Sequence, residues 1–337
     1  MRPIGRALRR TRNWLNKRLV QVQNEFLRNE RVLGQPFQLT LEPGNVCNLR
    51  CPLCPTTTRE ARLPKGMLRY EDAKMILERF PYTVQLVLSN WGEPFLNKDV
   101  FRIVRLAKER DIHVQIESNF TLFDEEKSRA LVQSGLDVLV VALDGASQET
   151  YERYRVGGRF DDVIANVRTL RRVQEELRDH RTEVRWKFVV NRHNEHELES
   201  ARAMARELGM TFQVVTIWTP PDRKEEWLPS RVAHTEGRNV RGGPPRCHHL
   251  WQAVSVNFNG DVFPCCSEFS PADKLVNVLE RPFAPLWNGE TYRARRRLNK
   301  GPVDCSRCHL DRDTNWYRTW IGDAEPRDEL GEPRNEL

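Results

Sequence analysis

The stretch "FQLTLEPGNVCNLRCPLC", residues 37–54, begins with the pattern of a strand and ends in three cysteines. Its first seven residues alternate apolar and polar side chains, which is typical of a β-strand. Cys47, Cys51 and Cys54 follow before the next helical pattern begins. In parallel α/β proteins, the loops that follow the strands build the active site. The stretch therefore predicts a strand of such a sheet, with a functional loop at its carboxyl end.

The same alternation of strand and helix patterns continues to residue 217. Five further strands are predicted at VQLVLSN (84–90), HVQIESN (113–119), DVLVVALDG (137–145), EVRWKFVVN (183–191) and TFQVVTIW (211–218). Helical periodicity lies between them, which predicts parallel strands joined by right-handed crossovers. Residues 37–217 are too few for a complete eight-unit barrel, which usually needs roughly 250 residues. The predicted fold class is therefore α/β, a partial (β/α)6 TIM-type barrel or open sheet.

The sequence divides into five predicted segments. They are a basic amphipathic helix (1–35), the partial barrel (36–219), a linker rich in Pro, Gly and charge (220–245), a small cysteine-rich domain (246–322) and a disordered tail (323–337). We find no internal repeat.

The composition is that of a soluble globular protein, with 39% hydrophobic and 30% charged residues. No apolar run approaches the roughly 18–20 residues needed to span a bilayer, and the N-terminus lacks the apolar region of a secretory signal. A cytoplasmic location is therefore predicted. Disulfides are rare in that reducing compartment, so the eight cysteines favour metal or redox chemistry.

The net charge of +7 belongs to one segment, because residues 1–32 hold nine basic and two acidic side chains. That segment also carries apolar residues at helical spacing, namely Leu8, Leu15, Leu19, Val22 and Phe26. The favoured interpretation is a helix that packs on the main domain and shows a solvated basic face. The alternative is a peripheral contact with an anionic membrane surface or an acidic partner.

The three clustered cysteines favour a particular kind of metal site. Soft thiolates select iron–sulfur clusters, zinc or copper(I). A tetrahedral zinc site would want a fourth Cys or His close by, and none follows promptly. Three cysteines instead suit a cubane cluster in which one iron has no protein ligand.

The segment "CNLRCPLC" (47–54) resembles the Cx3Cx2C signature of the radical S-adenosylmethionine (SAM) enzymes. The resemblance implies that Cys47, Cys51 and Cys54 hold a [4Fe–4S] cluster whose fourth iron binds the methionine group of SAM. It also implies reductive cleavage of SAM to a 5′-deoxyadenosyl radical, which removes a hydrogen atom from a substrate. Low-potential electrons would come from a flavodoxin or a ferredoxin. The family fold is a partial (β/α)6 barrel, which agrees with the six predicted strands.

Two further segments resemble the family's SAM-binding motifs. "SNWGEPFLN" (89–97) is similar to the GGEP motif, with Trp91 in place of the first Gly. The resemblance implies that Gly92 and Glu93 lie near the methionine amino group. "ESNFTLF" (117–123) resembles the ending of the family's third strand, which implies that Ser118 and Asn119 bind the ribose or the carboxylate.

"ALDGASQETYERYRVGG" (142–158) resembles another block of the family. It implies that Arg155 pairs with the methionine carboxylate, as Arg pairs bidentately with carboxylates, and that Asp144 reaches the ribose. Asn191, after the fifth strand, completes the predicted SAM-binding set. A role in a cap or turn stays open for Asn119, Asp144 and Asn191.

A second set of cysteines lies near the C-terminus. Asn259–Gly260 sits between β-rich flanks and predicts a two-residue hairpin turn, which would carry Cys265 back beside Cys247. "CSRC" adds a chelating pair. The four predicted ligands are Cys247, Cys265, Cys305 and Cys308.

This second pattern resembles the SPASM and Twitch extensions of radical SAM enzymes, which implies an auxiliary [4Fe–4S] cluster. No cysteine follows Cys308, so one auxiliary cluster is predicted rather than two. A structural zinc site is the alternative.

The predicted function is the oxidation of a small molecule, such as a sugar or aminocyclitol, with the auxiliary cluster accepting an electron. Asp261, Glu268 and Cys266 are the candidate catalytic residues, each a base for the released proton. About 35 residues precede the barrel, fewer than a separate domain of roughly 50 or more would need, which favours a small substrate. Peptide modification, redox-neutral epimerisation or decarboxylation, and a non-catalytic electron-transfer role are the alternatives. The GEP block and Arg155 argue against the last.

The basic run at residues 293–297 is predicted to be a solvated helix face. Nucleic-acid binding would want aromatic residues interleaved with the basic ones, and they are sparse there. No nucleic-acid partner is therefore predicted.

Overall fold

The computed structural model describes residues 3–27, 29–58, 63–217, 219–230, 249–265 and 271–298. The strands are β1 (Gln38–Leu41), β2 (Gln85–Val87), β3 (His113–Ser118), β4 (Val138–Ala142), β5 (Glu183–Val190), β6 (Thr211–Thr216), β7 (Ala253–Val256), β8 (Asp261–Phe263) and β9 (Val276–Asn277). All six strands predicted between residues 37 and 218 are present.

Helices lie between most of these strands. They are α1 (Pro3–Val22), α2 (Pro55–Thr58), α3 (Tyr70–Arg79), α4 (Val100–Glu109), α5 (Glu125–Ser134), α6 (Gln148–Tyr154), α7 (Phe160–Leu177), α8 (Leu198–Glu207), α9 (Lys224–Trp227), α10 (His249–Gln252), α11 (Ala284–Trp287) and α12 (Glu290–Leu298). A short π-helical turn, Gln23–Leu27, extends α1.

The strands of the described residues form one sheet in the order β6-β5-β4-β3-β2-β1-β7-β8-β9. The first six are parallel and lie in chain order, and a helix crosses over between each neighbouring pair. The sheet is not closed. This topology confirms the predicted six-unit partial barrel, and it gathers the loops after β1 to β6 at one edge.

The local signals of the helices are those that the sequence predicts. In α5, the side chain of Asp124 accepts a hydrogen bond from Lys127 N, and Gly135 ends the helix in the left-handed region at φ 77°. The helix α4 buries Val100, Ile103 and Ala107 against the sheet. Apolar faces at this spacing bury the helices on the sheet and fix the loops at its carboxyl edge.

The C-terminal hairpin continues the barrel sheet. The strand β7 pairs in parallel with β1, with Leu39 opposite Val254, and β8 and β9 follow as antiparallel strands. The predicted hairpin is present, but its loop has three residues, 258–260, because Asn257 N still pairs with Asp261 O. Gly260 adopts φ 86°, which is usual for the last residue of such a loop.

The N-terminal helix packs on the domain with the face opposite to the one expected. Asn13, Asn16 and Gln23 are buried, whereas Leu15 and Phe26 are exposed. The amide of Asn16 exchanges two hydrogen bonds with the backbone of Gln35, at 3.0 and 2.8 Å. The helix is therefore amphipathic, as predicted, but side-chain amides rather than leucines attach it.

The prediction of a solvated helix face at residues 293–297 is wrong for its middle. Arg295 and Arg296 are buried. The guanidinium of Arg296 lies 4.3 Å from the ring centroid of Trp287, and its Nε donates to Leu250 O at 2.8 Å. The long side chain of arginine allows this burial, because its stem packs on aromatic rings while its donors reach backbone oxygens.

The beginning of the predicted linker is also ordered, since α9 lies within it and buries Trp227. The remaining residues of that linker, 231–245, and the predicted tail, 323–337, lie outside the described residues. Among the helices described, none combines the length and the apolarity needed to cross a bilayer.

Candidate active site

The three cysteines of the first motif lie in the loop between β1 and α2, at the carboxyl end of the parallel sheet. Cys51 is buried, whereas Cys47 and Cys54 are partly exposed. The loop turns tightly, because Cys54 N donates to Cys51 O at 3.1 Å and Leu49 N donates to Cys47 Sγ at 3.4 Å. A short loop thus presents three thiols at one edge of the sheet.

Gly92 holds this loop against the end of β2. Its φ is +88°, and a Cβ there would lie 2.6 Å from Gly44 O and 2.8 Å from Val46 O. The next amide, Glu93 N, donates to Val46 O at 2.9 Å. Because only glycine allows both this φ and this approach, Gly92 sets the position of the backbone that leads to Cys47.

The carboxylate of Glu93 joins the ends of β2 and β3. The side chain is 2% exposed. Its Oε1 accepts from Ser118 Oγ at 2.7 Å and from Phe95 N at 3.1 Å, and its Oε2 accepts from Asn119 N at 2.9 Å. Burial raises the pKa of Glu93, and these hydrogen bonds act in the opposite sense. Glu93 therefore fixes Ser118 and Asn119 relative to the cysteine loop.

The amide of Asn119 faces the cysteine loop. Its Nδ2 lies 3.8 Å from Cys47 Sγ and donates to Asn48 Oδ1 at 2.9 Å. Its Oδ1 accepts from the backbone and the hydroxyl of Thr121, which also makes it a turn residue. These last contacts are those of a turn residue, and a part for Asn119 in binding SAM stays a prediction.

Arg155 and Asp144 form a buried ion pair beside the middle cysteine. Arg155 Nε lies 2.6 Å from Asp144 Oδ2, and Arg155 Nη1 lies 3.9 Å from Cys51 Sγ. Burial disfavours the charged form of Arg155, but Asp144 and Cys51 outweigh it and raise the pKa of the guanidinium above its ordinary value. A permanent positive charge therefore lies next to Cys51.

The same charge influences the thiol of Cys51. Burial raises the pKa of Cys51 to about 11, and Arg155 acts in the opposite sense. The sequence assigns Arg155 to the methionine carboxylate. In the structure its Nε binds Asp144, and Nη1 is the nitrogen that points towards the cysteine loop.

Asn191 lies at the end of β5, where its contacts are local. Its Oδ1 accepts from His193 N at 2.9 Å, and its backbone N donates to Asn194 Oδ1 at 2.7 Å. The side chain is 1% exposed. These contacts are those of a turn residue, and a part for Asn191 in binding SAM stays a prediction.

A small apolar cluster lies beside the cysteine loop and is formed by Leu53, Ile217 and Trp227. The rings of Tyr154 and His193 pack on Trp227, with centroids 5.5 and 5.0 Å away. The helix α9 thus covers the ends of β5 and β6, and it lowers the polarity of the surface next to Cys54.

The three thiols of this loop are the candidate ligands of the predicted cluster. Within the described ranges, no three His, Cys, Asp or Glu side chains come close enough together to ligate one metal ion. The charge of Cys54 raises the pKa of both Cys47 and Cys51, so the three thiols lie within electrostatic range of one another. A cubane takes one thiolate at each of several iron corners, which separates its ligands more widely than a mononuclear zinc site does.

One cysteine of the second set is visible. Cys265 follows β8 and is partly exposed. It influences the buried His249, whose pKa is lowered by burial and raised by Cys265. The hairpin therefore brings Cys265 near His249, and its approach to Cys247 stays a prediction. Cys247, Cys266, Glu268, Cys305 and Cys308 lie outside the described residues.

Asp261, a candidate base, lies at the start of β8. Its Oδ1 contacts Lys274 Nζ at 2.7 Å and accepts from Asn277 Nδ2 at 2.9 Å, and its Oδ2 accepts from Asn259 Nδ2 at 2.9 Å. These contacts hold the hairpin together. None of them joins Asp261 to the residues around Cys47 and Cys51.

Glu42 is a buried carboxyl group of this edge that the sequence analysis missed. It follows β1 and is 0% exposed. Its Oε2 accepts from Phe258 N at 3.3 Å. Burial raises the pKa of Glu42 to about 7, against the backbone hydrogen bonds from Phe258 and Trp91. A charged residue that closes an apolar strand pattern was the available signal.

Asn97 was also missed, although it lies in the quoted segment 89–97. Its Nδ2 donates to Pro43 O at 2.6 Å and to Leu68 O at 2.8 Å. Asn97 therefore fixes the start of the cysteine loop from the same segment as Gly92. The spacing of the segment gives no sign of this, because both acceptors are backbone oxygens of distant residues.

Comparison with protein families identifies this edge. The model of the radical SAM superfamily matches residues 41–177, and that of the SPASM iron–sulfur cluster-binding domain matches residues 247–309. The chain belongs to the radical SAM superfamily. Its radical SAM domain contains the three cysteines, Gly92, Glu93 and Arg155, and its SPASM domain contains Cys265. Membership implies SAM and a [4Fe–4S] cluster as cofactors, together with auxiliary iron–sulfur chemistry in the SPASM domain.

Three curated relatives are similar in sequence. The AdoMet-dependent heme synthase of Methanosarcina barkeri is 29% identical over 53% of this chain, which corresponds to only half of that protein's length. The Fe-coproporphyrin III synthase of the same organism is 24% identical over 78% of both chains. The PqqA peptide cyclase of Gluconobacter oxydans is 24% identical over 83% of this chain and 84% of its own.

The fold is also found in solved structures. SuiB of Streptococcus suis, bound to S-adenosylmethionine, superposes with a TM-score of 0.60 over 77% of this chain and 67% of that one. The sequences are 14% identical, so this likeness concerns the fold alone. It agrees with the open parallel sheet described above.

Proposed function

We propose that this radical SAM enzyme modifies a peptide, beginning with removal of a hydrogen atom from one of its residues. Bound SAM and its cluster supply a 5′-deoxyadenosyl radical for that step. The observation that carries the peptide assignment is the similarity to PqqA peptide cyclase, because it extends over more than four-fifths of both chains.

The residues around the cysteine loop have separate proposed tasks. Cys47, Cys51 and Cys54 hold the cluster. Arg155 Nη1 lies 3.9 Å from Cys51 Sγ, so its charge would be available to the carboxylate of SAM bound at that cluster. Asn119 offers an amide beside Cys47 on the other side of the loop. Gly92 and Glu93 act by positioning, because their contacts are with the loop backbone and the end of β3.

A peptide replaces the small molecule that the sequence analysis favoured. That preference rested on the short segment before the first strand. A peptide does not need a dedicated domain there, because an open sheet gives access to its carboxyl edge from the side. The predicted oxidation, with the auxiliary cluster as electron acceptor, applies equally to a peptide residue.

A tetrapyrrole substrate is the second candidate. It is favoured by the similarity to Fe-coproporphyrin III synthase over 78% of both chains. The two candidates differ in a property that is easy to test, since proteases destroy a peptide and leave a tetrapyrrole intact.

The test uses anaerobically reconstituted full-length protein with SAM and dithionite. The substrate source is a low-molecular-mass extract of deuterium-labelled cells of the source species, divided into a protease-treated and an untreated half. Mass spectrometry then measures deuterium in the 5′-deoxyadenosine that is formed. C51A protein is the control for cluster-dependent cleavage.

A peptide substrate predicts deuterium transfer from the untreated extract and at least about tenfold less after protease treatment. Transfer that survives the protease contradicts the peptide assignment and favours the tetrapyrrole or another small molecule. Absence of 5′-deoxyadenosine in every sample would contradict radical SAM activity itself.

A further inference from the structure

The helix α1 leaves an apolar face uncovered. We define the α1 apolar face as Leu8, Leu15, Leu19, Val22 and Phe26, which are spaced for one side of a helix. These side chains are between 43% and 77% exposed. Of the eleven large apolar side chains that are exposed in the described ranges, eight lie between residues 8 and 33. Such a concentration marks a surface that another body covers.

The domain itself is attached to the other side of α1. Asn13 Nδ2 donates to Pro81 O at 3.3 Å, and Asn16 exchanges hydrogen bonds with Gln35. Val20 is fully buried. The sheet therefore already has its contact with α1, and that contact does not use the α1 apolar face.

The helix that carries this face is strongly basic. The first 24 residues contain seven basic side chains and no acidic one. Arg6, Arg9 and Arg10 converge on a single carboxylate, Asp111, so positive charge exceeds negative there. Arg18 is exposed and lies 5.8 Å from the ring centroid of Trp14, which is itself 56% exposed.

We propose that α1 docks the protein on an anionic phospholipid membrane, lying in the plane of the interface. Leucine and phenylalanine enter the acyl boundary in such helices, while arginine and tryptophan remain at the level of the headgroups. The excess of positive charge is complementary to anionic headgroups. The same excess opposes pairing with the α1 apolar face of a second copy, since two arginine-rich helices would then lie side by side.

The place of α1 in the fold suits this docking. Its arginines contact Asp111 and Pro81, which precede β3 and β2 at the amino end of the parallel strands. The cysteine loop lies at the carboxyl end. A membrane contact through α1 therefore leaves the radical SAM site free for cofactor and substrate.

The test is flotation of the anaerobically reconstituted full-length protein with vesicles. One vesicle set contains phosphatidylcholine with a quarter of phosphatidylglycerol, and the other contains phosphatidylcholine alone. The test variant is L15Q/L19Q/F26Q. The matched control is M75Q/V214Q, which removes exposed apolar side chains elsewhere on the surface. Formation of 5′-deoxyadenosine checks that each variant is folded.

We expect the wild type and M75Q/V214Q to float with the anionic vesicles and L15Q/L19Q/F26Q to bind at least about tenfold more weakly, as expected from three lost apolar insertions. Binding to phosphatidylcholine alone should be weak. The proposal is overturned if the wild type does not float with anionic vesicles, or if L15Q/L19Q/F26Q binds these vesicles as well as M75Q/V214Q does.

Sedimentation velocity without lipid distinguishes the competing occupant. A dimer that forms in the wild type and disappears in L15Q/L19Q/F26Q, without vesicle binding, would assign the face to a second copy and overturn the membrane proposal. A wild-type monomer that floats with anionic vesicles supports it.

Discussion

The two ends of the parallel sheet hold their charges in opposite ways. At the carboxyl end, the side chains of Arg155 and Asp144 are 15% and 0% exposed and form a single pair. At the amino end, Asp111 binds three arginines of α1, of which Arg6 and Arg10 are 51% and 63% exposed. The first arrangement fixes a charge beside the cysteine loop. The second attaches α1 to the domain and leaves the α1 apolar face exposed.

Burial distinguishes the charges of the candidate active site from the charges that attach α1. A buried ion pair is costly to disrupt, because the remaining charge has no solvent, whereas an exposed one contributes little. A site that must orient a cofactor benefits from the first kind. A docking surface benefits from the second, since its charges must remain available.

Substitution of Cys51 should have the largest effect on iron content and on SAM cleavage. C51A should lose about four iron atoms per chain, from about eight in the wild type, and should form no 5′-deoxyadenosine above background, because a cluster ligand is missing. R6A, at the amino end of the sheet, should retain the iron content of the wild type and its formation of 5′-deoxyadenosine. Iron and sulfide analysis and chromatography of the nucleoside measure these outcomes.

C265A sharpens this prediction within the C-terminal hairpin. It should also lower the iron content to about four, but it should still cleave SAM, since the first cluster remains. Equal loss of cleavage in C265A and C51A would show that the two cysteine sets do not act separately. A wild type with about four iron atoms and one zinc would mean that the second set is a structural zinc site.

The next effect compares the carboxylates of the two ends. D144N should destabilise the protein by about 3 kcal/mol, because it leaves Arg155 buried without a carboxylate. D111N should cost about 1 kcal/mol or less, since two of its three partners, Arg6 and Arg10, are largely exposed. Urea unfolding of both variants measures the difference. The cost of D111N should shrink at high salt, and that of D144N should not. Equal costs for the two variants would contradict a difference in strength between the ion pairs at the two ends of the sheet.

A pair of glycines tests how the cysteine loop is held. Gly92 and Gly157 have nearly the same φ, 88° and 90°, but only Gly92 has backbone within 3 Å of an added Cβ. G157A should cost about 1 kcal/mol for the strained φ, and G92A about 2 kcal/mol more for the displaced loop. G92A should also retain less iron. If both variants were equally stable, the contact with the cysteine loop would not matter.

The contribution of Glu42 to the stability of the protein depends on pH. Burial raises its pKa from 4.5 to about 7, so the folded protein keeps a proton that the unfolded chain releases between those values. Its contribution is therefore favourable at low pH and is lost as the pH rises through about 7. E42Q should be more stable than the wild type at pH 8, by on the order of 3 kcal/mol, and similar at pH 4. Unfolding curves of both proteins at several pH values measure this difference. Equal stability of E42Q and the wild type at pH 8 would contradict a raised pKa of Glu42.

The strands β1 to β6 and the clustered cysteines of the first predicted metal site follow from local patterns of the sequence. Strand patterns of period two and helical patterns of period 3.6 are local, so β1 to β6 and their helices could be read directly. The three cysteines are also local, since eight consecutive residues contain them. The caps of α5 and the hairpin before Cys265 depend on the same short-range chemistry.

The contacts between residues that lie far apart in the sequence depend on the packing of the whole domain. Arg155 Nε binds Asp144, which follows β4, and no local pattern of the sequence shows that these two residues pair. Asn97 and Gly92 hold the cysteine loop through backbone atoms that no side-chain pattern reveals. The apolar spacing of α1 predicted a buried leucine face, yet side-chain amides form the contact with the domain. A periodic pattern shows that a helix has two faces, and only the shape of the surface it meets decides which of them is buried.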